Sequence, residues 1–261
     1  MNIGEIKSIF KNIHEDDRDS FENFVKDFDG DSRGGVAAVV NAARKKIEAY
    51  DKEVSRTNKM YSFEDKYAHM GMKYICGIDE VGRGPLAGPV VTCAVILPQD
   101  EKILHLNDSK QLSARKREEL YDIIIERAVS YAIGISNEKR IDEINILQAT
   151  YEAMRMSIEN LKVKPDILLN DAVKIPNVNI TQVPIIKGDT LSASIAAASI
   201  VAKVTRDRMM AEYDRIYPGY DFGSNMGYGS AKHIAAIKSM GLCEIHRKSF
   251  TGNFVDTQNQ P

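Results

Sequence analysis

Apolar residues recur at helical spacing early in the chain: Ile6, Ile9, Phe10 and Ile13, then Val36, Val39, Val40, Ala43 and Ile47. Gly34 and Gly35 separate the two patterns and suit a turn. Two or three short helices are therefore expected over residues 1–72. From Tyr74 the pattern becomes a series of apolar runs. Residues 74–79 read as a buried strand ending at Asp79, and Pro89 to Leu97 as a second, with Gly82, Gly84 and Gly88 in the tight connection between them. Ser113 is placed to cap a helix carrying Leu120, Ile124 and Ala128. A strand over 131–135, a helix over 144–161, and strands over 167–169 and 182–186 follow. Residues 191–203 form a helix of mostly small side chains, suited to close packing on a sheet. The order β-β-α-β-α-β-β-α predicts an α/β fold, a mixed sheet with helices on its faces.

This divides the chain into a small, mostly helical N-terminal extension (1–72), whose sequence suggests no chemistry, and an α/β domain (73–255). A polar tail (256–261) is expected to be disordered. Hydrophobic content of 43% and charged content of 28% are ordinary for a globular protein. Three widely spaced cysteines, Cys76, Cys93 and Cys243, read as reduced thiols rather than a disulfide frame or zinc site. No signal peptide is visible, and no apolar run approaches the roughly 18 residues of a membrane span. A cytoplasmic location away from membranes is expected. The net charge of -2 argues against coating nucleic acid through bulk positive charge, but leaves room for a local basic groove.

Four carboxylates stand out by context. Asp79 ends an apolar strand and Glu80 follows it; Asp171 closes the run from Ile167; Asp189 lies between an apolar run and the small-residue helix. Acidic residues are poor strand formers and costly to bury unless paired or bound to metal. Each alone could end its strand in solvent, and Asp189 could cap the helix after it. Together they suggest a shared hard-cation site, with oxygen ligands favouring Mg²⁺ or Mn²⁺ over zinc. Gly82-Arg83-Gly84 places a guanidinium between two residues that let backbone approach a ligand, which suits a phosphate or sugar edge as well as a plain turn.

The run Gly77-Ile-Asp-Glu-Val-Gly-Arg-Gly-Pro-Leu-Ala-Gly-Pro-Val90 resembles the signature of type HII ribonucleases. So do Asn107-Asp-Ser-Lys-Gln-Leu112, Lys187-Gly188-Asp189, the stretch from Ser194 to Arg208, Met226-Gly-Tyr-Gly229 and His246-Arg-Lys-Ser-Phe250, in family order over roughly 74–255. The resemblance implies a ribonuclease H-like fold and a two-metal site of Asp79, Glu80, Asp171 and Asp189. It implies that Gly82, Arg83, Gly84 and Tyr228 read the 2′-hydroxyl of a ribonucleotide embedded in DNA, the group that separates RNA from DNA. Cleavage 5′ of that ribonucleotide would leave 3′-hydroxyl and 5′-phosphate ends. Asn107, Ser109, Lys110, Lys187 and Lys203 are candidate substrate contacts, and Lys232, Arg247 and Lys248 further ones. Residues 187–250 hold nine Lys/Arg against six Asp/Glu. The partners expected are RNA/DNA hybrids and ribonucleotide-containing DNA, met by a monomer. The sequence departs from the family pattern at Asn170, Ala172 and Thr251-Gly252. A type HIII enzyme, preferring longer hybrids, is the alternative; its turn usually carries Lys where Arg83 stands. A nonenzymatic hybrid-binding protein would not need four acidic strand ends.

Overall fold

Two compact units divide the chain, Met1–Lys59 and the residues from Met60 onward. This computed structural model describes residues 1–254, so the expected polar tail at 256–261 lies outside the described residues.

The first unit contains α1 (Ile3–Asn12), α2 (Arg18–Phe28) and most of α3 (Gly34–Met60). A capping box starts α1: the Glu5 N–H donates to Asn2 Oδ1 and the Asn2 N–H to Glu5 Oε2, both at 2.9 Å. Ile6, Phe21, Phe24, Val36, Val40 and Ala43 make its core, with the Phe10 ring 5.8 Å from those of both Phe21 and Phe24. Gly34 and Gly35 open α3 instead of forming a turn. The bend falls just before them, where Asp31 Oδ1 accepts the Arg33 N–H at 3.0 Å. The apolar spacing from Val36 then sustains a helix of 27 residues, far longer than the short one expected.

In the second unit α4 (Ser62–His69) precedes a five-stranded sheet of order β3-β2-β1-β4-β5. Its strands are β1 (Ile75–Val81), β2 (Val90–Ile96), β3 (Ser130–Ser136), β4 (Ile167–Asp171) and β5 (Thr181–Ile185). β1, β2 and β3 pair antiparallel, while β1–β4 and β4–β5 pair parallel, which makes the sheet mixed as expected. Between and after the strands come α5 (Ala114–Arg127), α6 (Glu138–Glu159), α7 (Gly188–Leu191), α8 (Ala193–Ile216), α9 (Phe222–Asn225), α10 (Ala231–Met240) and α11 (Lys248–Thr251). Ser113 caps α5, its Oγ accepting the Lys116 N–H at 3.2 Å.

Two glycines set the distance between layers. A Cβ at Gly77 would lie 2.1 Å from the Ser194 carbonyl carbon, and one at Gly134 would lie 1.9 Å from the Ala153 carbonyl oxygen. Helix α8 therefore presses on one face of the sheet and α6 on the other. The small side chains of α8 are what permit it. Residues 75, 77 and 79 of β1 face α8, by the period-2 alternation of a strand. No helix among the described residues is long and apolar enough to cross a membrane.

Candidate active site

β1 and β4 lie side by side and parallel, with Ile78 opposite Asn170. The next step of that register carries Asp79 beside Asp171, both on the α8 face. Asp79 is buried, and its carboxyl is raised by burial first and then by the charges of Glu80 and Asp171. The Glu80 N–H donates to Asp79 Oδ1 at 2.8 Å, and the nearby Ser199 side chain of α8 works against the upward shift. Ser199 Oγ in turn lies 2.9 Å from the Oγ of buried Ser109. Burial also raises Glu80, although Arg83 opposes this from 3.3 Å away.

Asp171 ends β4, where its Oδ1 accepts the Gly188 N–H at 2.8 Å. That bond ties β4 to α7, which carries Asp189. Asp189 is raised by burial, then by the charges of Asp108 and Asp171. All four carboxylates thus belong to one electrostatic group, with Asp171 acting on each of the other three. Acids brought together from β1, β4 and α7 are relieved either by protonation or by compensating positive charge.

The donor set fits a hard divalent cation. Glu80 Oε2 is buried without a hydrogen-bond partner among the described residues, and every candidate ligand is oxygen. No three of the four carboxylates bring one oxygen each within 4.8 Å of one another. Asp171 is near enough to raise the other three, but the acids are not drawn into a closed cage.

The turn after Glu80 is held from beneath by two buried arginines. Arg247 donates from Nη2 to the Gly82 carbonyl at 2.6 Å, from Nη1 to Arg83 at 3.0 Å and from Nε to Gly88 at 2.9 Å. Arg206 on α8 donates to the carbonyls of Pro89, Ala87 and Met226 at 2.9, 3.1 and 2.8 Å. Burial pulls the guanidinium of Arg206 down to about 10 and that of Arg247 to about 9, both still protonated at neutral pH. A peptide N–H points opposite its C=O. With the Gly82 and Arg83 carbonyls turned inward, the amides of Arg83 and Gly84 face outward. Tyr228 completes the surface: a Cβ at Gly84 would lie 3.7 Å from Tyr228 Cε1, and Tyr228 is 46% exposed.

The remaining candidates divide. Lys110 and Lys187 are exposed, and Lys110 offsets part of the charge around Glu80 and Asp189. Lys203 is paired with Asp207 at 2.7 Å. Asn107 Oδ1 accepts the Asp108 N–H at 2.9 Å, shaping the turn, and the hydroxyl of Ser109 is spent on Ser199. Arg247 is a correction: it is wholly buried beneath the turn, so its side chain is no surface phosphate contact. Lys232 and Lys248 are exposed. Asn170 points away from Asp171 and donates to Gln182 Oε1 at 2.9 Å, bracing the loop before β5.

Three residues escaped the sequence reading. Ser199 looked like one more small residue in a packing helix. Arg206 drew no separate notice within the stretch from Ser194 to Arg208. Glu64 of α4 accepts from Ser192 Oγ at 2.6 Å and from the N–H and Oγ of Ser194 at 2.9 and 2.6 Å, fixing the start of α8 just after Asp189.

Two family models match this chain, Ribonuclease HII over residues 76–253 and Ribonuclease HII N-terminal domain over residues 2–68. Ribonuclease HII of Lachnoclostridium phytofermentans is 55% identical over 253 residues, covering 97% of this chain and 98% of its own. That of Clostridioides difficile is 47% identical, with the same coverage. The crystal structure of the ribonuclease H2 of Pyrococcus horikoshii matches with a TM-score of 0.56 at 25% identity, covering 69% of this chain and 98% of that one. The Archaeoglobus fulgidus RNase HII solved with PCNA gives 0.55 at 28%, covering 67% and 93%.

Proposed function

The chain belongs to the ribonuclease HII family, hydrolases of nucleic acid with ribonuclease H activity that depend on divalent metal, and from that premise we propose that it cleaves 5′ of single ribonucleotides embedded in duplex DNA, as well as the RNA strand of hybrids. The observation that carries this reading is the placement of Tyr228 against Gly84, in a turn joined directly to Asp79 and Glu80. A sugar edge seated between outward amides and an aromatic ring is sensed by its 2′-hydroxyl, and the adjoining phosphodiester then falls beside the carboxylates.

Asp79, Glu80, Asp171 and Asp189 would hold two Mg²⁺ or Mn²⁺ ions. Such ions, when bound, neutralise phosphate charge and lower the pKa of water, yielding 3′-hydroxyl and 5′-phosphate ends. The protein supplies the rest. Burial and repulsion keep the carboxylates poised for a cation, while the Glu80 and Gly188 amides fix the rotamers of Asp79 and Asp171. Arg83, Lys110 and Lys187 offer positive charge to the backbone phosphates without reading bases. We read the protein as a cytoplasmic monomer, with residues 1–72 as an appendage to the catalytic domain.

The test is incubation with duplex DNA carrying one ribonucleotide, beside an all-RNA/DNA hybrid, with Mg²⁺ or Mn²⁺. Cleavage of the first substrate 5′ of the ribonucleotide is expected. Cleavage of the hybrid alone would point to a preference for longer RNA tracts and overturn the proposal.

A further inference from the structure

His233 on α10 and His246 just before α11 are buried and meet with their Nε2 atoms 3.0 Å apart. Their other partners fix where the protons lie. The Cys243 N–H donates to His246 Nδ1 at 2.9 Å, a shorter contact than the 3.3 Å from that nitrogen to the Cys243 carbonyl, which accepts the His246 backbone N–H at 3.1 Å. Nδ1 of His246 therefore carries the lone pair and its Nε2 the proton. At the other end, His233 Nδ1 lies 2.8 Å from the carbonyl oxygen of Tyr228, which can only accept. Nδ1 of His233 thus carries the proton, leaving its Nε2 to accept from His246. Two neutral rings complete an unbroken chain from the Cys243 amide to the Tyr228 carbonyl. A further proton is disfavoured: on His233 Nε2 it would face His246 Nε2–H, and on His246 Nδ1 it would exchange the 2.9 Å contact with the Cys243 N–H for the longer 3.3 Å one to the Cys243 carbonyl.

We propose that His233 and His246 are positioning residues, a hydrogen-bond chain that sets the Tyr228 loop against the Gly82-Arg83-Gly84 turn and works only while both rings are neutral. This rests on the reading of Tyr228 as the ribonucleotide sensor. The surroundings favour neutrality. The rings of Tyr220 and Phe222 pack against both histidines, Arg206 reaches the Met226 carbonyl from α8, and Cys243 Sγ lies 3.1 Å from His246 Nδ1. The cavity beside His246 is lined by Glu138, Lys139 and Asp142 of α6 together with Glu244 and Lys248. Lys139 pairs with Glu244, and Asp142 accepts the Lys248 and Ser249 amides, so these two carboxylates are engaged away from the rings, while Glu138 is the buried carboxylate of that lining. Burial lowers His233, and burial with the neighbouring ring lowers His246 to about 4. A histidine depressed in the folded state adds stability that is full above the unfolded value, about 6.5, and is lost as pH falls from there toward the folded one.

Nitrogen NMR of the full chain labelled in histidine tests the proton arrangement directly. Near neutral pH, His233 is expected as the Nδ1–H tautomer and His246 as the Nε2–H tautomer, with His246 titrating at about 4 and His233 below the ordinary histidine value. A charged ring at neutral pH, or Nε2–H on both, overturns the proposal. The positioning role is tested with His233→Leu, which removes the donor to Tyr228, and His233→Asn, whose amide can replace it. The leucine variant should lose about three- to tenfold in rate at an embedded ribonucleotide while duplex affinity in EDTA changes by less than about twofold, and the asparagine variant should recover most of the rate. Equal losses in rate and affinity, or no recovery, would refute it. Should the leucine variant not fold, the asparagine variant decides, being expected to keep near-normal rate. Tyr228→Ala serves as control: if its rate is unchanged, the reading of Tyr228 as the sensor has failed, whatever proton pattern the histidines show.

Discussion

The Arg247 guanidinium donates to the Gly82 carbonyl at 2.6 Å, from beneath the turn that follows the two adjoining carboxylates. A buried cation is costly unless it is well hydrogen-bonded, and here backbone carbonyls accept three of the five Arg247 N–H groups. Lysine keeps the charge but cannot span three acceptors from one plane. Arg247→Lys should therefore destabilise the protein by about 3 kcal/mol, the cost of leaving two buried carbonyls unmet. Thermal unfolding measures this, and a melting temperature equal to that of the parent would refute the pinning role.

The two glycines of the same turn should respond in opposite ways. Gly82 has φ of +91°, and a Cβ there would lie 2.3 Å from Arg206 Nε and 2.7 Å from the Pro89 carbonyl oxygen. Gly82→Ala should cost about 2 kcal/mol or more of stability. Gly84 is exposed, and a Cβ there meets only Tyr228 Cε1 at 3.7 Å. Gly84→Ala should fold with stability within about 0.5 kcal/mol of the parent yet lose rate at an embedded ribonucleotide, because the methyl fills the space before the ring. A fully active Gly84→Ala enzyme would show that the sugar does not lie there.

Asp79→Asn should abolish turnover without harming the fold. The wild-type carboxylate is buried among Glu80 and Asp171, so removing its charge relieves repulsion. In EDTA the variant should melt at or above the parent temperature. Adding Mn²⁺ should raise the parent's melting temperature, by about 2.7 kcal/mol of stability at a hundred times the dissociation constant, and the variant's much less. A variant that melts lower in EDTA would mean that the carboxylate is structural.

Most of the sheet was legible because its strands are apolar runs broken by glycine, and Asp79, Asp171 and Asp189 stood out as acids where such runs end. What escaped notice lay in long-range hydrogen bonds. Arg206 and Arg247 look like surface charges in sequence, and only the fold brings them under a turn more than a hundred residues upstream. The short helices α9 and α11, of four residues each, are too brief to show a period. Gly34-Gly35 misled because glycine favours turns, whereas the apolar spacing after it outweighed that preference. Ala172 was visible as a departure, and its φ of +54° explains why glycine suits the position after Asp171.

Glu64 gives the stretch that seemed to lack chemistry a specific task. Its Oε1 accepts from Ser192 Oγ, the Ser194 N–H and Ser194 Oγ at the start of α8, where a helix end also favours negative charge. Glu64→Ala would leave the Ser194 N–H and one of the two serine hydroxyls without an acceptor, the other hydroxyl having its neighbour 3.2 Å away, and should cost about 3 kcal/mol, while Glu64→Gln, which keeps one oxygen, should cost about 1 kcal/mol. Because Asp189 lies in α7 directly upstream, the alanine variant should also need more Mn²⁺ for half-maximal activity. Thermal melts and a metal titration of the full chain measure both effects. Equal metal requirements in a clearly destabilised variant would confine Glu64 to holding the fold and sever its link to Asp189.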